Sequence, residues 1–87
     1  MRIDSEALNH ANAMEHVARA VAAIRAGDGV LDFSPVHRCD SAAVALALEC
    51  LRTARAVGRP LRLEGIPAPM ASLARLYGVE ELLRAAS

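Results

Sequence analysis

The residues best equipped for chemistry lie together in one run, His37-Arg38-Cys39-Asp40-Ser41-Ala42-Ala43. An imidazole, a thiol, a carboxylate and a hydroxyl this close invite three readings. As a hydrolase, Ser41 would be the nucleophile, His37 its base and Asp40 the group that orients the base. A triad needs all three in mutual hydrogen-bonding geometry together with an oxyanion hole. Residues crowded into five consecutive positions seldom reach that geometry, and the Gly-x-Ser-x-Gly elbow is absent. As a metal site, His37 and Cys39 supply two ligands, but no second Cys/His pair follows at zinc spacing. As a helix start, the run makes immediate sense. Asp40 accepts a hydrogen bond from a first-turn N–H, and Ser41 falls where unpaired N–H groups and the helix dipole favour negative charge. A phosphate on Ser41 would be held by that field and opposed by Asp40, so it would act as a switch with a repulsive component. An Asp-Ser pair that does nothing but cap is the plainer alternative. The expectation is a chain that is not an enzyme, with no catalytic residue, metal or cofactor.

The elements around this run follow from apolar spacing. Val30-Leu31-Asp32-Phe33 precedes it as an apolar strand of the kind that pairs in parallel or lies under cover on both faces, and Ser34-Pro35 ends it. A long helix follows from about Asp40 to Val57 and closes at Gly58. Its bulky positions Leu46, Cys50, Ala54 and Val57 share a face with Ala43 and Ala47. Ser41, Ala45, Glu49 and Arg52 lie opposite, with Leu48 and Arg55 beside them. A leucine next to small residues and the cap serine suits a docking surface that needs close approach.

Upstream, residues 1–8 read as a short edge strand holding Ile3 and Leu8. A helix then starts near Asn9, with Asn9 or Asn12 as cap and Met14, Val17, Val21 and Ile24 as its buried stripe. Glu15, His16 and Arg19 fall on the other side, and His10 and His16 read as solvated. Gly27-Asp28-Gly29 ends that helix. Downstream, Pro60 to Glu64 alternates as a half-exposed strand, and Pro67 or Pro69 seats a third helix striped by Met70, Leu73 and Tyr77. Gly78 stops it, and a last short helix covers Val79 to Arg84. Strands alternating with helices give an α/β layout.

Composition narrows the function. The 87 residues hold ten arginines, no lysine and ten acidic residues, so the formal net charge is zero. Nucleic-acid binding is disfavoured, because its affinity comes largely from neutralised phosphates. Phe33 and Tyr77 are the only aromatics, which disfavours base-stacking platforms and aromatic cages. The longest apolar run, Ala42 to Leu48, is far short of the ~20 residues that span a bilayer. With no apolar region in its first residues, the chain reads as cytoplasmic, without direct membrane insertion. Cys39 and Cys50 behave as small hydrophobes. Arg52, Arg55, Arg59 and Arg62 form a basic cluster, either a solvated face near a helix C-terminus or a seat for an acidic partner.

The run VLDFSPVHRCDSAAVALALECLRTARAVGRPLRLEGIPAPMASLARLYGVEELL resembles STAS domains, the fold shared by anti-sigma factor antagonists and sulfate transporter tails. It is most similar to the MlaB type, the small cytoplasmic subunit of a bacterial phospholipid ABC transporter. The likeness covers nearly everything after residue 8. Its most specific pieces are Cys39-Asp40-Ser41-Ala42-Ala43 after the apolar strand and the closing Leu73-Ala74-Arg75-Leu76-Tyr77-Gly78-Val79 with Leu82-Leu83.

The resemblance implies one STAS domain over residues 1–87, an α/β fold with a small mixed sheet of three or four strands and helices mainly on one face. It matches Ser41 to the residue phosphorylated in anti-sigma antagonists. In the MlaB type it places that position in the contact with the ATPase subunit. The implied partner surface is Ser41, Ala42, Ala45, Leu48, Glu49 and Arg52, with Asp40 as the cap. The implied role is a non-catalytic regulatory or assembly subunit, peripheral to the inner membrane through its complex. The alternative is a partner switch governed by phosphorylation of Ser41. Without its partner the exposed patch is suited to pairing with itself in a symmetric dimer. Two departures stand out: Ala43 where many members have glycine, and an N-terminal region reduced from a hairpin to one strand.

Overall fold

Alternating strands and helices do form the chain, and the computed structural model describes all 87 residues. The order is β1 (Ala7–Leu8), α1 (Ala13–Arg25), β2 (Val30–Asp32), β3 (Arg38–Cys39), α2 (Ser41–Ala56), β4 (Arg62–Glu64), α3 (Ala68–Leu76) and α4 (Glu80–Ala85). Every strand pair is parallel. The strands form two small sheets, β1 with β3 and β2 with β4, in place of one mixed sheet.

The two sheets share the N-terminal segment. Met1 and Ile3 pair with β2 through Asp32, whose N–H donates to Met1 O and whose carbonyl accepts from Ile3, both at 2.8 Å. Five residues later the same segment pairs again. Glu6 O accepts from His37 at 2.8 Å and from Arg38 at 3.1 Å, while Leu8 O accepts from Asp40 at 3.3 Å. Between these stretches the two chains diverge at Asp4–Ser5 and Ser34–Val36, which is why β3 is a separate two-residue strand. The sequence reading missed it, since two residues display no period. Ile3 and Leu8 are both fully buried. At the far side, Leu63 N–H donates to Ala86 O at 2.7 Å, so the chain's last residues close the outer edge of β4.

Asp32, the one charged residue of the apolar strand, is there for the turn that follows. Its Oδ1 accepts from Ser34 N at 2.9 Å and from the Ser34 hydroxyl. Those side-chain and backbone bonds from Ser34 hold its carboxyl below the usual range, against the opposing effect of desolvation.

The core gathers Phe33, Ile3, Leu8, Leu31, Leu46, Leu63 and Met70, with Ala20, Ala43, Ala47 and Ala74 filling the helix contacts. α2 is its axis: α1 packs along one flank, α3 and α4 along the other. Both core helices end at glycines in the left-handed region, α2 at Gly58 (φ 70°) and α3 at Gly78 (φ 74°). Pro67 is the cap of α3 and Pro69 sits in its first turn.

Three stripes differ from the simple helical count. In α1 the buried residues are His16, Ala20 and Ile24, while Met14 is 83% exposed and Val17 and Val21 are marginal. The helix is rotated toward its alanine side, because a small residue such as Ala20 lets α1 approach the core more closely than a methionine would. His16 is thereby buried rather than solvated, and its Nδ1 accepts from Arg19 at 3.2 Å. Val57 lies at the fraying end of α2 and is exposed. Tyr77 caps α3 and points outward, its place in the core taken by Ala74.

Two glycines give a matched test. Gly58 has open space where a Cβ would go, whereas at Gly65 (φ 67°) a Cβ would lie 2.7 Å from Ser34 N and 2.9 Å from Ser34 Cα. Gly58→Ala is expected to cost about 1–2 kcal/mol for the left-handed backbone alone. Gly65→Ala adds a backbone clash and is expected to cost about 3 kcal/mol or more. Chemical denaturation of the two variants side by side checks the ordering.

Candidate functional site

Parallel pairing of β1 with β3 sets Leu8 opposite Cys39, so the chain leaves both strands at the same end of the molecule. α1 and α2 therefore start side by side. One carboxylate joins them. Asp40 Oδ1 accepts from Ala42 N at 2.8 Å, capping α2 as expected. Its Oδ2 reaches across to the other helix entry, accepting from His10 N at 3.2 Å and meeting His10 Nδ1 at 2.8 Å. That contact becomes an ion pair whenever the imidazole is protonated. Desolvation pushes the Asp40 carboxyl up. The bond from Ala42 and then those from His10 outweigh it, and the net effect is a value below the ordinary 3.8.

The entry to α1 is fixed by side chains as well. Asn12 is its cap residue, yet its amide bonds backward: Oδ1 accepts from Asn9 N at 2.9 Å and Nδ2 donates to Ala7 O at 2.8 Å. Asn9 Oδ1 accepts from Ala11 N at 2.9 Å. Both asparagines proposed as caps thus shape the turn, and neither bonds the first turn of the helix.

Ser41 is the first residue of α2 and half-buried. Its hydroxyl is free of the histidines: His37 is exposed, and the imidazole brought to Asp40 is His10. The hydrolase geometry is therefore not assembled. Cys39 is half-buried, and desolvation first, then the Asp40 charge, raises its thiol. Burial, with Glu49 second, pushes Cys50 up to about 11. Neither thiol is activated for nucleophilic work. No three His, Cys, Asp or Glu side chains converge as metal ligands.

What these starts enclose is a groove of about 390 Å³ between α1 and α2. Met14 and Val17 face Ala42, Ala45 and Leu46 across it, with His10 and Ser41 at the capped end and Glu49 farther along. Its lining is mostly apolar, and Met14 overhangs it.

The six residues expected to form one surface divide along the crest of α2. Ser41, Ala42, Ala45 and Glu49 line the groove with α1, while Leu48 and Arg52 line a separate groove with α4. At 100° per residue, Ser41, Leu48 and Arg52 sit near the crest itself, with the two flanks falling away from it. Glu49 and Arg52 bridge that crest: Arg52 Nη2 donates to Oε2 at 2.6 Å and to Oε1 at 2.8 Å. That hydrogen bonding, then the Glu49 charge, raises the guanidinium further. Met14, Val17 and His10 were not among the expected contact residues. The one available signal was a methionine at the margin of an alanine-rich helix.

Residues 5–84 match the family described as MlaB, STAS domain. No curated protein matches the chain. The family is typically non-catalytic. Ala43 is fully buried, its methyl part of the core beneath the cap.

The Asp40 clasp carries a pH signature. Its carboxyl is lowered in the folded chain, so the folded state releases this proton more readily than the unfolded state. The stability it contributes is present above about pH 4 and disappears as pH falls through the folded value. Asp40→Asn is expected to flatten part of the acid limb of the stability profile. Asp28 and Asp32, also lowered, contribute to the same limb. Thermal melts of both proteins between about pH 6 and 2 measure this.

Proposed function

We propose, from the premise that this chain belongs to the MlaB-type STAS domain family, that it is a non-catalytic subunit that docks on the ATPase of a phospholipid ABC transporter through the α1–α2 groove. The observation that carries this reading is the groove itself, an apolar cleft at the capped start of α2, overhung by an exposed methionine and bordered by small residues. Ala45, exposed on the groove beside buried Ala42, lets a partner's backbone or side chain approach closely, while Met14 adapts its shape to what enters. Asp40 holds both helix starts and so keeps the cleft's end wall fixed before binding, which limits the ordering cost of association.

Mechanically, such a subunit acts by differential affinity. Binding one conformation of the ATPase more tightly than another shifts the population by that difference and requires no chemistry of its own. No helix is long and apolar enough to cross a membrane. Association with the inner membrane would therefore come through the partner.

A second reading has one observation in its favour. Ser41 is half-buried, with a hydroxyl free of side-chain bonds in the first turn of a 16-residue helix. A partner-switching antagonist would carry its phosphate on such a hydroxyl, in the field of the first-turn N–H groups. Against this stands Asp40, whose carboxylate would face the phosphate at once.

A tagged pull-down from native membranes, with mass spectrometry of the partners and of the Ser41 peptide, distinguishes the two. The expected result is an ABC ATPase with unmodified Ser41. Ala45→Arg, on an exposed position in the groove, should reduce the recovered ATPase about tenfold or more, the equivalent of ~1.4 kcal/mol. Ser41→Ala should leave it unchanged. A kinase-like partner together with phosphate on Ser41 would overturn the transporter reading.

A further inference from the structure

The four arginines that cluster in the sequence go to different partners in the fold. Arg52 is held by Glu49, Arg62 by Glu64, and Arg59 Nη1 donates to Arg25 O at 3.4 Å. Of the four, Arg55 alone has neither a carboxylate within 4.0 Å nor a hydrogen bond from its guanidinium. It stands exposed on the flank of α2 that faces α4. Leu48, Leu51, Arg52 and Arg55 follow at i, i+3, i+4 and i+7, a single stripe of that helix about 10 Å long. With Leu61 ahead of β4 and Leu82 of α4, they line a groove of about 430 Å³.

Leu48, Leu51 and Leu61 are half-buried against the core, and Leu82 is 56% exposed. The only charged residues in the lining are the two arginines. Whatever covers this groove must bring apolar side chains for the leucines and a carboxylate for Arg55. A guanidinium covered without a partner loses its hydration with nothing in return. Arg52 is available to a second carboxylate, because an exposed pair such as Arg52–Glu49 contributes little by itself. The nature of the occupant is narrowed further by its surroundings. Leu63 N–H is already taken by Ala86 O at 2.7 Å, which disfavours an added strand along β4. An anionic bilayer surface is a poorer match, since α4 presents Glu80 and Glu81 against one Arg84 and the whole chain has a formal net charge of zero.

We propose that the α2–α4 groove binds an acidic amphipathic helix of another protein, its apolar face on the four leucines and its carboxylates paired with Arg55 and Arg52. A helix laid between two helices offers apolar anchors at i, i+3 and i+4 to both walls. About two of its turns span the stripe from Leu48 to Arg55. Carboxylates on the side facing α2 meet guanidinium groups that take them in bidentate fashion, which fixes the register of the docked helix. The contact lies on the opposite flank of α2 from the α1–α2 groove and does not rest on the ATPase reading.

A library of displayed peptides, each longer than the ~15 residues an isolated helix needs, selected on the purified chain tests the proposal. The expected result is enrichment of sequences with leucine or isoleucine at helical spacing beside aspartate or glutamate. The best of them, made as a labelled peptide, should bind more weakly as salt rises. Leu82→Glu, at an exposed position and checked for intact fold by circular dichroism, should raise its dissociation constant about tenfold or more. Arg55→Glu should do the same, and a peptide with lysine in place of its acidic residues should recover binding to that variant. Ala45→Arg, in the other groove, should leave the affinity unchanged. Enriched sequences with no acidic excess would overturn the proposal, as would a library that yields no binder. So would acidic peptides that bind the Leu82→Glu chain as well as the wild type but lose the Ala45→Arg chain. Binding to vesicles of anionic phospholipid that Leu82→Glu abolishes, with no peptide selected, would assign the groove to a membrane surface instead.

Discussion

Everything at the end of this molecule where α1 and α2 begin depends on the parallel pairing of two very short strands. β1 and β3 contribute only two residues each, Ala7–Leu8 and Arg38–Cys39, yet their register decides where both long helices begin. Parallel strands discharge their helices in the same direction, so α1 and α2 must rise from one end and lie against each other. A two-residue ladder is weak alone. Here it is reinforced by the second stretch of the same segment, Met1–Ile3, pairing with β2, and by the Asp40 carboxylate tying the two helix entries together. The groove between α1 and α2 is a consequence of that register. It exists because two amphipathic helices start together and diverge around Met14 and Ala45, whose side chains do not fill the gap between them.

The α/β order was legible in the sequence wherever local chemistry dictates structure. Asp40 caps α2, Gly58 and Gly78 end helices with left-handed backbones, and Pro67 and Pro69 seat α3. Each follows from a residue that acts within one turn of itself. What the sequence concealed was set by distant parts of the chain. β3 is defined by its partner and not by a pattern, and Arg38-Cys39 has no reason to be extended except Glu6 and Leu8. The rotation of α1 depends on what Ala20 and His16 meet in the core, which spacing alone cannot rank against Met14 and Val17. The surface of α2 was half-legible for the same reason. The helical wheel placed Ser41, Ala45, Leu48, Glu49 and Arg52 together on the outer side of α2. Only the packing of α1 on one flank and α4 on the other divides that side into two grooves.

A near-absence of aromatics explains how so small a chain builds a core at all. Phe33 is the one buried aromatic. The rest of the interior is leucine, isoleucine and valine with Met70 and Cys50, packed against alanines, with Ala43, Ala47 and Ala54 facing inward along α2. Small residues shorten the distance between elements, and the Cα radius of gyration of 11.5 Å falls slightly below the ~12 Å typical of this length. Close approach takes the place of large side chains. The same economy leaves little apolar area to spare, since a chain of this size buries only about 60–65% of its unfolded surface.

That marginal core gives the exposed apolar residues a physical rationale. Met14, Leu76 and Leu82 stand largely in water while the interior relies on alanine, an arrangement that does nothing for the isolated chain. Any partner that covered Met14 or Leu82 would add its binding free energy to folding by mass action, because the unfolded chain presents neither groove. Stability and assembly are then one property, and the two flanks of α2 contribute to it separately. A helix held rigid by its cap at Asp40 and its stop at Gly58 presents both grooves at fixed spacing. Occupying one would leave the other's geometry unchanged, so contacts made on the two flanks would be additive as long as α2 itself does not move.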